Sequence, residues 1–315
     1  MPLTLPSNLP AIELLKKENI FVMSQLRAKT QDIRPLKVAV LNLMPLKIAT
    51  ETDIIRVMSN TPLQIEIDLV SLASHESKNT PAEHMKAFYK NFDEISQSNY
   101  DGLIVTGAPV ENMPYEEVSY WDEVGRVFDW ARNHVTSSIY ICWAAQAALY
   151  RFYNIPKYPL GHKMFGVFKH TVLDKNCPLF RGFDDEFYAP HSRHTEVRAE
   201  DIDKIDELKL ISSSEEAGTY IVMGRGGREF YITGHSEYAL YNLHNEYVRD
   251  LSKGISIEPP QHYYRHENPA EKPVSRWTGH GNLLFNNWIN YYLYQATPFD
   301  PQEIEKLSTL NFDFD

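Results

Sequence analysis

Between residues 36 and 152, short apolar runs alternate with helical patterns, and this alternation restricts the fold more than any other property of the chain. Leu36 to Leu43 is an apolar run closed by Met44-Pro45, and a helical pattern follows from about Thr50 to Ser59. Leu63 to Val70 alternates apolar and polar residues, which predicts a strand with one wetter face, as at a sheet edge. Gly102 to Thr106 is a third run, stopped by Gly107-Ala108-Pro109, and a helix with Trp121, Val124, Phe128 and Trp130 comes next. Ser138 to Ile141 runs directly into Cys142, and the alanine- and leucine-rich stretch from Ala144 to Phe152 predicts another helix. Strands separated by helices in this way imply a mostly parallel α/β sheet. Ligands bind such sheets beyond the carboxyl ends of the strands, which directs attention to Gly107, Cys142 and the ends of later strands.

Shorter strands are predicted at Leu208 to Ser212, Thr219 to Met223 and Glu229 to Thr233. The Gly224-Arg225-Gly226-Gly227 turn makes the last two a hairpin. Pro259 to Pro273 reads as an irregular excursion. It leads to Asn282–Tyr294, where Leu284, Trp288, Ile289 and Tyr292 recur at helical spacing. Such a stripe suits a core or subunit-contact helix, and on that ground a homodimer is expected. With no internal repeat and no long linker, the 315 residues read as one domain over 1–315, with an α/β core at 36–250 and flanking extensions at 1–35 and 251–315.

Charge and cysteine content exclude several functions. Against 42 Asp and Glu stand 31 Lys and Arg, a net charge of −11, which opposes binding to nucleic acid or to an anionic membrane surface. No run approaches the roughly 20 apolar residues of a membrane span. Glu13, Lys16, Lys17 and Glu18 interrupt the N-terminal stretch before a secretory core could form, so a cytoplasmic location is expected. Two cysteines can build neither a disulfide framework nor a four-thiolate zinc site. Each is therefore core filler or chemistry.

Cys142 stands where a strand gives way to a helix, beside unpaired N–H groups at the positive end of the helix dipole, a setting that favours a reactive thiolate. Position alone fits a buried core cysteine equally well. Cys177, before Pro178 in a loop-like segment, has the pattern of an inert thiol. The predicted strand Glu229–Thr233 ends in Gly234-His235-Ser236-Glu237, which puts a histidine on the same rim as Cys142 and a carboxylate two residues on to orient it. The three together suggest a Cys–His–Glu triad. The same segment is one residue short of a Gly-x-Ser-x-Gly elbow, and there is no phosphate-binding glycine loop. His191 with His194, and His262 with His266, have spacings a metal could use but bring no convincing third ligand, so no metal is expected.

Longer strings go further. Arg34-Pro35-Leu36-Lys37-Val38, Leu41-Asn42-Leu43-Met44-Pro45, Asn79-Thr80-Pro81-Ala82-Glu83-His84, Asp101 to Pro109, Cys142-Trp143-Ala144, Ala189-Pro190-His191-Ser192-Arg193 and Gly279-His280-Gly281-Asn282-Leu283-Leu284-Phe285 span nearly the whole chain. With them the sequence resembles the homoserine O-acyltransferases of methionine biosynthesis, of the homoserine O-succinyltransferase type. The resemblance implies a class I glutamine-amidotransferase-like, flavodoxin-like fold: a mostly parallel sheet flanked by helices, with a C-terminal helical extension. The wider amidotransferase pattern has glycines flanking the elbow, where this chain has Tyr140 and Ala144. The implied reaction carries an acyl group from acyl-CoA to the hydroxyl of L-homoserine through a Cys142 thioester, with His235 as general base and acid and Glu237 holding it. No bound cofactor is implied, and acetyl-CoA serves as co-substrate. By the same resemblance Lys163, Ser192 and Arg249 contact the amino acid, Trp143 and the Gly107 turn supply oxyanion N–H groups, and Lys47 lies near the site.

Glu111 is the position where, by this resemblance, acyl-CoA choice is decided. A carboxylate in the acyl pocket would repel the distal carboxylate of a succinyl group, which favours acetyl-CoA over succinyl-CoA. Two further readings stand beside this one: a glutamine amidotransferase or cysteine hydrolase with the same triad, and a binding or redox-sensing module in which Cys142 is merely oxidisable.

Overall fold

The computed structural model describes residues 3–5, 9–17, 23–24, 34–74, 79–298 and 301–307, so much of the flanking stretch 1–35 lies outside the described residues. Five parallel strands form the centre: β3 (Leu36–Leu41), β4 (Ile65–Ser71), β6 (Tyr100–Val105), β7 (Val135–Ile141) and β12 (Glu229–Ile232). Their spatial order is β4-β3-β6-β7-β12, so the chain reverses its direction of travel across the sheet between β3 and β6. Every residue of β6 and β7 is buried, as expected of strands covered on both faces. The short strands β1 (Leu3–Leu5), β2 (Met23–Ser24) and β5 (Tyr89–Asn91) extend the sheet beyond β4. Beyond β12 it turns antiparallel through β11 (Gly218–Gly224), β10 (Leu208–Ser214), β8 (Tyr158–Val172) and β9 (Glu186–Glu196).

The strand expected to lie at an edge, Leu63–Val70, is β4, and its polar residues Glu66 and Asp68 are half-buried as the alternation requires. It is not the edge, because β1 pairs with its start and β5 with its end. The predicted helix at Thr50–Ser59 begins three residues earlier, at Lys47, and ends at Met58. No side chain caps its first turn, so the sequence carried no start signal there. The long β8–β9 hairpin was not anticipated. Gly166 interrupts its apolar pattern, and a Cβ there would collide with the backbone of Gln261, where the irregular 259–273 excursion crosses.

The helices important to the site are α1 (Ala11–Lys17), α2 (Lys47–Met58), α6 (Trp143–Tyr153), α8 (Asn242–Ser252) and α9 (Thr278–Asn287). Between them in chain order lie α3 (Ala82–Phe88), α4 (Phe92–Ile95), α5 (Trp121–His134) and α7 (Ala199–Ile202). A π-helical stretch, Trp288–Tyr294, continues α9. The Leu284–Trp288–Ile289–Tyr292 stripe is fully buried inside the chain's own core, against the parallel strands. Trp288 Nε1 donates to Ser137 Oγ at 2.9 Å, and its ring occupies the space left by the missing side chain of Gly102. That stripe is core, and it presents no surface on which to base a subunit contact.

Candidate active site

The carboxyl ends of β3, β6, β7 and β12 deliver Asn42, Gly107, Cys142 and His235 to one rim. Cys142 adopts φ 53° and ψ −114°, a conformation rare for an L residue and costing about 1–3 kcal/mol. Both neighbours hold it there. Its N–H donates to Ile232 O at 2.7 Å, continuing the β7–β12 ladder, and its carbonyl accepts from Ala145 and Gln146 at the start of α6. The turn is sharp enough to lift the thiol off the end of the sheet, where Sγ lies 3.9 Å from Ser192 O.

His235 is fixed by its own N–H, which donates to Pro190 O at 2.8 Å, and by stacking on Tyr238 with ring centroids 4.1 Å apart. Gly234 makes this approach feasible, since a Cβ there would sit 2.8 Å from both Pro190 O and His191 Nε2. His235 Nδ1 lies 2.7 Å from Glu237 Oε1, and both residues are buried. Burial opposes a charged imidazole. The Glu237 carboxylate and Cys142, both hydrogen-bonded to the ring, outweigh it and hold His235 well above its ordinary value. A Cβ built on Gly107 would lie 3.3 Å from Cys142 Cβ and 3.7 Å from His235 Cε1, so any side chain there would crowd both residues. Cys142, His235 and Glu237, expected from the sequence to act together, therefore lie side by side.

Lys163 on β8, Ser192 on β9 and Arg249 on α8 also come together, around a residue the sequence reading missed. Glu246 Oε1 accepts from Lys163 Nζ at 2.6 Å and Ser192 Oγ at 2.8 Å, and lies 3.6 Å from Arg249 Nη2. Asp250 completes the cluster, 2.7 Å from Arg249 and 3.5 Å from Lys163. Arg249 with a carboxylate three residues before it on α8 was the available signal, but helix surfaces carry many such pairs. A cavity of about 270 Å³ joins Gly107 and His235 to Glu246 and Arg249. The Arg249 guanidinium and the Glu246 carboxylate on one wall complement a zwitterionic amino acid.

Glu111 turns inward and accepts the His194 N–H at 3.2 Å. Burial pushes its carboxyl up to about 7, against the pull of the His194 N–H, His235 and Lys163. Lys47 opens α2, and its buried ammonium donates to Asn42 O at 2.6 Å. Burial lowers it to about 8, with Glu51 acting the other way. The Trp143 ring turns away into the core beside Tyr115 and Tyr120, so only its backbone N–H, at the open end of α6, can serve the site. Cys177 is buried against the Tyr292 hydroxyl at 3.5 Å, and burial raises its thiol.

The histidine pairs part company. His191 stacks on His170 with Nε2 atoms 2.9 Å apart, and burial keeps both neutral, His170 at about 3. His262 pairs with Glu216, and His266 with Glu271. Among the described residues no group of three His, Cys, Asp or Glu side chains is placed to hold a metal. No helix among them is long and apolar enough to cross a membrane.

A glutamine amidotransferase of Thermotoga maritima superposes with a TM-score of 0.54 at 13% identity, covering 82% of this chain and 98% of that one, which shows the shared fold. Two curated relatives named homoserine O-acetyltransferase are far nearer in sequence. That of Parabacteroides distasonis is 65% identical over 310 residues, covering 98% of this chain and 100% of its own length. That of Phocaeicola vulgatus is 64% identical over 304 residues, covering 96% and 100%. Residues 2–299 match the family described as homoserine O-succinyltransferase. With the match running through the Cys142 elbow, the His235 rim and α8 alike, the chain belongs to the homoserine O-succinyltransferase family.

Proposed function

We propose that this chain is a homoserine O-acetyltransferase, an acyltransferase that moves an acetyl group from acetyl-CoA to the side-chain hydroxyl of L-homoserine in the cytoplasm. The observation that carries the reading is full-length kinship at 65% identity with a relative bearing that name. The assembled rim supplies the chemistry. The Cys142 thiolate attacks the acetyl carbonyl, forming a carbon–sulfur bond as the bond to CoA breaks, and the departing CoA thiolate takes a proton from His235. The homoserine hydroxyl then gives its proton to His235 and attacks the thioester, and the Cys142 thiolate leaves. Glu237 keeps the imidazole oriented and stabilises its protonated form in both halves. Backbone N–H groups of Trp143 and of the Gly107–Ala108 turn face the developing oxyanion. Glu246 receives the homoserine ammonium and Arg249 its carboxylate, with Lys163 and Ser192 bracing Glu246.

Acetyl rather than succinyl follows from the relatives' names and from Glu111. Intact-mass analysis tests the whole reading. Acetyl-CoA alone should add about 42 Da, the acetyl increment of a covalent acyl-enzyme. Cys142→Ser should lack the adduct, and homoserine should discharge it from the native protein. Ammonia release from glutamine, with no adduct from any acyl-CoA, would establish the hydrolase reading instead.

A further inference from the structure

An outer cleft of about 810 Å³ adjoins the catalytic cavity. Asp53, Glu237, Tyr238 and Asn242 line both, so a ligand in the outer cleft reaches the His235–Glu237 pair along one continuous wall. The inner cavity, at about 270 Å³, falls below the roughly 300–1,000 Å³ that drug-sized ligands occupy, and leaves no room for the body of a CoA thioester. The donor must therefore extend outward.

The character of the outer wall shows which part of the donor it suits. Leu14, Leu46, Ile48 and Tyr241 meet at this mouth, each between 36% and 55% exposed. Apolar residues left in water and gathered at one groove mark a binding surface. Between them stand the amide side chains of Asn245 and Asn282, donors and acceptors for amide groups. The lining cations are already held by protein oxygens, Lys47 by Asn42 O at 2.6 Å and Arg56 by Asp53 at 2.7 Å. Apolar walls punctuated by amides, with committed cations, complement an uncharged arm of methylene and amide groups better than a phosphate.

We propose that this cleft, between α2 and the 236–241 loop, holds the pantetheine arm of the acyl-CoA donor, with the nucleotide outside. CoA leaves by the same route before homoserine is acylated. The inference rests on the acetyltransferase reading and deepens it.

Ile48 lines the outer cleft and not the inner cavity, and a glutamate at this exposed position in the first turn of α2 is compatible with the helix. The test compares acetyl-CoA with S-acetyl-N-acetylcysteamine, a thioester carrying only the end of the arm, in the native protein, Ile48→Glu and Tyr241→Ala. The ratio of kcat/KM for acetyl-CoA to that for the short thioester should fall about tenfold or more in Ile48→Glu, and in the same direction in Tyr241→Ala. An unchanged ratio, or equal losses with both donors, overturns the proposal. So does an unchanged ratio with an altered oligomeric state by light scattering, which would make the patch a contact between copies. A native protein that neither thioester acetylates refutes the acetyltransferase reading itself, and the cleft assignment falls with it.

Discussion

Lys163 Nζ donates to Glu246 Oε1 across 2.6 Å, although 83 residues separate the two in the chain. The same oxygen accepts from Ser192, so one carboxylate ties β8, β9 and α8 together at the proposed amino-acid site. Glu246→Gln removes the charge and keeps the shape. The expected result is a 10- to 100-fold loss of about that order in kcat/KM for homoserine, the size of one charge-assisted hydrogen bond. Acetylation of Cys142 in the absence of homoserine should hardly change. Equal losses in both half-reactions, measured by rapid-quench mass analysis, would make Glu246 a structural residue.

The proposed discrimination by Glu111 against a succinyl group should depend on pH. Burial has raised its carboxyl to about 7, and the charged, repelling form therefore grows as pH rises through that value. Two like charges about 4 Å apart at an effective dielectric near 20 are worth on the order of 4 kcal/mol, and the neutral acid loses this repulsion. The ratio of kcat/KM for acetyl-CoA to succinyl-CoA should rise severalfold between pH 6 and pH 8. Glu111→Gly should lower the ratio and flatten its pH dependence. A native protein that prefers succinyl-CoA throughout would refute the pocket assignment.

Gly107→Ala places a methyl group 3.3 Å from Cys142 Cβ and 3.7 Å from His235 Cε1, beside both proposed reacting groups. Displacing the reacting groups by a fraction of an ångström to an ångström costs up to about 100-fold in rate. Stability should change little, because Gly107 and His235 line a cavity rather than packed core. Single-turnover acetylation together with a thermal melt distinguishes this outcome from misfolding.

Gly102→Ala should do the reverse. Its Cβ would meet Trp288 Cη2 at 2.8 Å and Leu293 Cδ1 at 2.9 Å, both in a packed interior. Overpacking of this kind costs about 1–3 kcal/mol, more than the roughly 0.4–1 kcal/mol regained from a stiffer unfolded chain. The melting temperature should drop by several degrees, with kcat of the folded protein retained. A melting temperature at or above the native value would show that the 288–294 segment adapts at no cost.

The parts of the site readable in the sequence share one property: each is set by local pattern. Ile139–Ile141 and Phe230–Ile232 are apolar runs ended by an abrupt change of pattern, so Cys142 and His235 could be placed on one rim without coordinates. Glu237 followed because it lies two residues from His235. Glu246 was invisible because its meaning depends on β8, β9 and α8 meeting, and an acidic residue on an amphipathic helix is ordinarily solvated.

The sequence by itself determined the parallel α/β centre, the strand–helix elbow at Cys142 and the histidine with its carboxylate at the end of β12. Periodicity and turn chemistry act over a few residues, and these features are local. Only the tertiary structure decided that Trp288 fills a space left by Gly102 rather than facing a second copy. It also decided that Glu111 is buried enough to titrate near 7, and that Glu246 gathers Lys163, Ser192 and Arg249. Burial, and contact between residues remote in the chain, are properties of packing, and a linear pattern carries no record of them.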